Sequence, residues 1–198
     1  MPLGDMKSDA DLVRSLQRGN RQALGSLYDR YNQKVYKTAY AITGDPDMAA
    51  DILQDVFLRL FRYSATIDSN RPLEPWLYRV AANLCYTGLK RRRRWFHPVE
   101  DIADWLSGSE TDSASPAVEI DDDWLQVQKS LSALPVAQRL VVVLYYLNDL
   151  SIDEISATLN VPPGTIKSRL HYGREALKKS LLLEAQGGSF SSLGCEFT

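Results

Sequence analysis

The stretch that decides the fold is Ser151-Ile-Asp-Glu-Ile-Ser-Ala-Thr-Leu-Asn160-Val-Pro-Pro-Gly-Thr-Ile-Lys-Ser-Arg-Leu170. Ser151 is a good N-cap, and Glu154 three residues on completes a capping box. Ile152, Ile155 and Leu159 recur at helical spacing and face a small core. Asn160 stands where the chain must turn sharply, and Asn accepts the left-handed conformation second only to Gly. Val161 plugs that turn. Pro163 suits the first turn of a second helix, where its missing N–H costs little, and Ile166 and Leu170 anchor that helix. Left pointing outward are Thr165, Lys167, Ser168, Arg169, His171, Tyr172 and Arg174. These types meet phosphates and base edges from the N-terminal half of a helix lying in a major groove. A basic helix face by itself is only a solvated face. The capped first helix, the turn residue and the spacing together predict a helix-turn-helix, from Ser151 to Leu170, that binds duplex DNA.

Outward from this segment the pattern predicts helices and no strands, since alternating apolar runs with tight hairpin signals are missing. Helices are predicted over Asp9 to Leu16, Gln22 to Ile42, Asp47 to Phe61 and Glu74 to Arg94, with Gly44-Asp45-Pro46 ending the second and starting the third. A second block begins near Asp123, where Trp124, Val127, Leu131 and Leu134 mark a helix that stops at Pro135. Val136 to Leu147, Ser151 to Leu159 and Pro163 to Leu182 follow. The fold class expected is all-α. Two small helical domains, 1–97 and 123–184, are joined by a flexible acidic linker over 98–122, and a disordered tail occupies 185–198.

Net charge, −2 over 198 residues, carries no hint of nucleic acid, but its distribution does. Ile67 to His97 holds seven Lys or Arg against two acids, and Val161 to Leu181 holds five against one. Between them, Val99 to Trp124 holds nine acids and no Lys or Arg. Two basic segments around an acidic one suit a partner with its own charge pattern. Cys85 and Cys195 lie far apart with no CxxC pair, so a disulfide framework is excluded, no metal site is expected, and free thiols in a reducing cytoplasm are. Met1 to Asn20 is too polar for a signal peptide, and Leu140 to Leu147 is too short to span a membrane.

Two helices of the first block carry more than a core needs. On the third, Asp47, Asp51, Gln54, Asp55 and Arg59 flank Leu53, Phe57, Leu58 and Leu60. Core packing accounts for such a stripe, and so does a protein-docking face with apolar anchors rimmed by charge. The fourth mixes Trp76, Tyr78 and Tyr86, then Trp95 and Phe96, with Asn83 and the run Lys90-Arg91-Arg92-Arg93-Arg94. Rings that stack on bases and cations that meet phosphates fit single-stranded DNA. A basic run at a helix C-terminus also suits the helix dipole and is commonly just solvated.

At this point the residues resemble a known family. Asp47-Met-Ala-Ala-Asp-Ile-Leu-Gln-Asp-Val-Phe-Leu-Arg-Leu-Phe61 resembles the polymerase-binding helix of sigma factors. Pro75-Trp-Leu-Tyr-Arg-Val-Ala-Ala-Asn-Leu-Cys85 and the basic run after it look like their promoter-melting helix. Ile155 to Leu177, with Gly164-Thr-Ile-Lys-Ser-Arg-Leu170 inside, is similar to their C-terminal helix-turn-helix. Three motifs in the right order cover most of residues 20 to 182. They resemble the sigma-70 superfamily, and the size resembles its extracytoplasmic-function group.

The resemblance implies a cytoplasmic bacterial transcription factor, not an enzyme, with no cofactor and no membrane. Its partners would be core RNA polymerase (clamp helices and flap), promoter DNA and an anti-sigma factor. Asp51, Gln54, Asp55, Phe57 and Leu58 would meet the clamp helices. Trp76, Arg79 and Asn83, with Lys90, Arg91 and the loop Tyr63 to Arg71, would engage the melted minus-ten element. Thr165, Lys167, Ser168, Arg169, His171 and Arg174 would read the minus-thirty-five element as duplex. The linker would thread toward the polymerase cleft. The sequence departs from the family pattern at Thr87, where Asp is frequent, at Ser156, where Ala is usual, and at Asn160, where Gly is usual. The alternative is a helix-turn-helix regulator that is no polymerase subunit. An enzyme acting on DNA is disfavoured because only His97 and His171 are present and no carboxylates cluster at metal spacing.

Overall fold

The computed structural model describes residues 7–95 and 122–187. The predicted linker core and the tail after Gly187 lie outside the described residues. Within them every regular element is helical. The first block comprises α1 (Asp9–Gln17), α2 (Arg21–Thr43), α3 (Pro46–Tyr63), a short 3₁₀ turn (Ser64–Thr66) and α4 (Glu74–Trp95). The second comprises α5 (Asp122–Ser132), α6 (Val136–Tyr146), α7 (Ile152–Leu159) and α8 (Pro163–Gly187).

Side-chain caps set several of the helix starts. Ser8 Oγ accepts from the Asp11 N–H, Asn20 Oδ1 from Gln22 and Asp45 Oδ1 from Met48. Each satisfies one of the amides that a helix start leaves without a partner. The α2–α3 corner turns on Gly44, at φ +72°, with Pro46 opening the next helix as the sequence predicts. Helix α2 is the spine of the first block. Leu27, Val35, Ala39 and Ile42 are wholly buried along it, against Val56 and Leu60 of α3 and Leu77, Ala81 and Cys85 of α4. The Cys85 thiol, desolvated in this core, is pushed up to about 12, so it stays protonated.

The second block packs on the apolar run of α6, where Leu140 to Leu144 are all buried, with Leu134, Ile155 and Ile166 closing around it. Helices α6 and α8 cross at Gly173. A β-carbon there would stand 2.7 Å from Val142 Cγ2, so no other residue allows this approach without a shift. The two blocks touch. Helices α5 and α6 lie on α2, and α7 and α6 on α4, so one continuous apolar core runs through both.

Candidate docking and nucleic-acid surfaces

The helix-turn-helix forms as its residues dictate. Ser151 Oγ accepts from the Glu154 N–H, and the Glu154 carboxylate accepts from the Ser151 N–H at 2.8 Å, so the capping box is complete. Those Ser151 donors, hydroxyl first, hold the Glu154 carboxyl below its ordinary value. Asn160 ends α7 in the left-handed conformation, φ 53° and ψ 49°. The unusual Ser156 has a use: its hydroxyl donates to the Val161 carbonyl at 2.7 Å, while its own carbonyl accepts the Val161 N–H at 3.1 Å. Side chain and backbone together close the turn from one residue.

On α8, Ile166 is buried and Leu170 half-buried against the core. Lys167, His171, Arg174 and Lys178 are exposed, and spacings of four, three and four put them on one face. Ser168 and Tyr172 are exposed beside them, the Tyr172 ring edge-on to His171 at 5.3 Å. Thr165 and Arg169 are half-buried. Lys178 extends the basic stripe one turn beyond the residues expected from sequence. Its spacing from Arg174 was the available signal.

Helix α4 shows a second stripe. Arg79, Asn83, Tyr86 and Lys90 are exposed at steps of four, three and four, with Trp76 half-buried at its head. Thr87 spends its hydroxyl on the Asn83 carbonyl, 2.8 Å away. Lys90 and Arg91 are exposed, whereas Arg92 pairs with Asp45, the cap of α3. That ion pair ties the end of α4 to the start of α3.

Helix α3 divides its stripe in two. Asp51, Gln54, Asp55 and Leu58 face outward, Leu58 at 59% exposure. Phe57, which the resemblance groups with the docking residues, lies in the core: it is 5% exposed and meets Tyr28 edge-on, ring centroids 4.9 Å apart. Two exposed aromatics missed in the sequence reading complete the outer face. Phe61 lies one turn from Leu58 with the Arg21 guanidinium 6.0 Å from its ring centroid, and Tyr28 is 37% exposed. The doublets Phe57-Leu58 and Leu60-Phe61 widen the apolar stripe beyond one face, but they do not say which member turns outward.

Among the described residues no helix is long and apolar enough to cross a membrane, and no three His, Cys, Asp or Glu side chains are grouped as metal ligands.

Comparison with known proteins gives these surfaces a class. The family model for Sigma-70 region 2 matches residues 27–95, which hold the α3 and α4 faces, and that for Sigma-70, region 4 matches residues 124–177, which hold the helix-turn-helix. The ECF RNA polymerase sigma factor SigW of Bacillus subtilis is 31% identical over 179 residues, 85% of this chain and 94% of SigW. The chain belongs to the ECF RNA polymerase sigma factors of the sigma-70 family. Two solved structures share the fold. CnrH, in complex with the cytosolic domain of CnrY, aligns with a TM-score of 0.62 at 24% identity over 91% of this chain and 99% of that one. The sigma factor RpoE of Bartonella quintana, in complex with the anti-sigma factor NepR, aligns at 0.61 and 20% over 80% and 96%.

Proposed function

We propose that this sigma factor docks on core RNA polymerase through the outer face of α3 and divides promoter reading between α4 and α8. The observation that carries the reading is the presence of three separate outward faces, each with the chemistry its task needs. On α3, Leu58 and Phe61 offer apolar anchors, and Asp51, Gln54 and Asp55 rim them with acceptors for a basic partner surface. Phe57 supports that face from beneath.

On α8, Lys167, His171, Arg174 and Lys178 line a groove-facing stripe in which cations neutralise phosphates. Arg169 and Ser168, near the start of the helix, are the candidates for base edges of the minus-thirty-five element. On α4, Trp76 and Tyr86 stack on unpaired bases of the minus-ten element. Asn83 donates to a base edge, and Arg79, Lys90 and Arg91 hold the backbone of the displaced strand. No bond in DNA is made or broken by this chain. It contributes binding energy to the melted state, and the polymerase does the chemistry.

This task requires a cytoplasmic protein that meets polymerase and chromosome together. An anti-sigma protein as partner is supported by the fold shared with the Bartonella quintana factor solved with NepR. The test is transcription from a promoter library with purified core enzyme, followed by permanganate footprinting. Asn83→Ala should spare closed-complex formation and reduce thymine reactivity in the minus-ten region about tenfold, the effect of losing roughly 1.4 kcal/mol. A protein that binds duplex promoter DNA but never joins core enzyme would be a regulator of the other kind.

A further inference from the structure

One edge of the seam between the two blocks opens into a cavity of about 350 Å³, at the lower end of the volumes that small molecules occupy. Its walls come from α2, from the start of α4 and from the turn that joins α6 to α7. None of its lining residues lies on the docking and reading stripes described above. The charges divide by element. Lys34 of α2 is neutralised by Glu74 of α4, 2.6 Å away. Lys37, one turn further along α2, is exposed and has no hydrogen-bond or ion-pair partner among the described residues. The α6–α7 turn supplies acceptors instead. Asn148 is 9% exposed, and its Nδ2 donates to Thr38 Oγ1 at 2.8 Å. Its Oδ1 has no partner among the described residues. A buried carbonyl oxygen left this way is costly, and a ligand N–H would satisfy it. Glu154 takes both Ser151 bonds on Oε2, which leaves Oε1 unused.

Asp149, exposed at the cavity, stands in a costly conformation. Its φ is +54°, and the Leu150 N–H beyond it reaches back to the Leu144 carbonyl at 3.1 Å. This is the left-handed helix end that Gly fills with no Cβ penalty. Asn160, the other described non-glycine residue with positive φ, turns the helix-turn-helix. Asp149 gives its own turn nothing that Gly would not give. What it adds is a carboxylate on the cavity wall. Backbone strain held beside a cavity points to a ligand clamp. The rest of the wall is largely apolar, through Pro72, Pro75 and Leu147.

We propose that this cavity binds a free aliphatic α-amino acid. The ligand carboxylate pairs with Lys37. Its ammonium meets Asp149, Glu154 and Asn148 Oδ1, and its side chain lies on the prolines and Leu147. A polyamine would bring cations to Lys37, and a simple anion would face Asp149 and Glu154. A zwitterion leaves no charge unmatched on either wall. The bound molecule touches α2, α4 and the α6–α7 turn at once, so it stabilises the folded chain by mass action. The inference does not depend on how the promoter is read.

The test is calorimetric titration of the full-length protein with L-leucine and L-valine. Two truncated forms of leucine run beside them: 3-methylbutylamine, which lacks the carboxylate, and 4-methylpentanoate, which lacks the ammonium. At least one of the two amino acids should saturate a single site with Kd at or below about 1 mM. If that amino acid is L-leucine, each truncated form should bind at least about tenfold more weakly, because it leaves one wall unmatched. Lys37→Met should bind L-leucine no better than 3-methylbutylamine. Asp149→Gly should weaken amino-acid binding at least about tenfold. It should nevertheless melt at or above the parental temperature, because Gly relieves the left-handed backbone.

Saturating ligand should raise the melting temperature of the parent and leave that of Asp149→Gly where it is. The site is wrong if neither amino acid binds saturably. It is equally wrong if either truncated form binds as tightly as L-leucine, or if both substitutions leave the amino-acid Kd unchanged. An Asp149→Gly variant that melts below the parent would assign Asp149 to the turn and overturn its role as a clamp.

Discussion

Phe57 and Leu58 are neighbours in sequence and opposites in placement, 5% and 59% exposed. Their alanine variants should separate folding from docking. Phe57→Ala empties a core site and removes the edge-on contact with Tyr28. Losses of this kind run to about 3–5 kcal/mol, a large share of a marginal total. Leu58→Ala removes a side chain that water already reaches. Its effect on stability should stay within about 0.5 kcal/mol.

Docking reverses the order. Burying a whole Leu side chain is worth about 1.5–3 kcal/mol. The exposed 59% of Leu58 therefore offers about 0.9–1.8 kcal/mol to a partner that covers it, or roughly 5- to 20-fold in Kd. The assay is urea unfolding by circular dichroism beside a fluorescence titration onto core polymerase, run on both variants. Docking through the outer face of α3 is refuted if Leu58→Ala binds core enzyme with unchanged Kd. The assignment of Phe57 to the core is refuted if its variant unfolds at the parental urea concentration.

Lys178→Ala should weaken binding to all duplex sequences alike and lower the slope of log K against log salt by about 1, measured by anisotropy at several salt concentrations. Arg169→Ala should instead cost about 1–3 kcal/mol and only on particular minus-thirty-five sequences. Ser156→Ala removes the hydroxyl bond to Val161, worth about 0.5–1.5 kcal/mol. It gains up to roughly 0.5 kcal/mol of helix propensity, so thermal melting should show a net loss under about 1.5 kcal/mol with the turn retained. Glu154→Ala should lose the capping box. Because Ser151 holds the folded carboxyl below its ordinary 4.5, the box stabilises fully above that pH and fades as pH falls through the lower, folded value. The stability gap between parent and variant, read from urea curves, should therefore be constant near neutrality and close in acid. A gap that widens in acid would contradict the assigned hydrogen bonds.

Local signals were legible in the sequence because their causes are local. The capping box at Ser151 and Glu154, the left-handed Asn160 and the Gly44 corner each depend on residues within one turn, and all appear where the residues demand. Helix boundaries agree within a few residues, the largest difference being the run of α8 on to Gly187. Faces were less legible. Adjacent apolar residues on α3 could not be sorted into core and surface until α2 was seen to bring Tyr28 over Phe57 and leave Leu58 bare. The basic run on α4 looked uniform, yet Asp45, remote in sequence, takes Arg92 out of it. The seam was not legible at all. Arg139, Asn148 and Gln128 reach partners 97, 110 and 88 residues away, and no periodicity records such pairs. The outward stripe from Lys167 to Arg174 did follow from spacing, since a helix converts three- and four-residue steps into a face.

Gly173 gives α8 a pivot. It lies on the inner side of α8 between His171 and Arg174, pressed to Val142 at a distance no β-carbon tolerates. Lys167 stands six residues before it, a lever arm of about 9 Å at 1.5 Å per residue. Tilting α8 by 10° about that point would carry Lys167 by roughly 1.6 Å along such an arm, half the length of a hydrogen bond. The direction of the stripe proposed to meet DNA is thus set from behind, by the bare backbone that rests on α6. On the proposed reading of α8, substitutions at Val142 or Gln138, which lie against Gly173, should shift promoter preference from behind the helix.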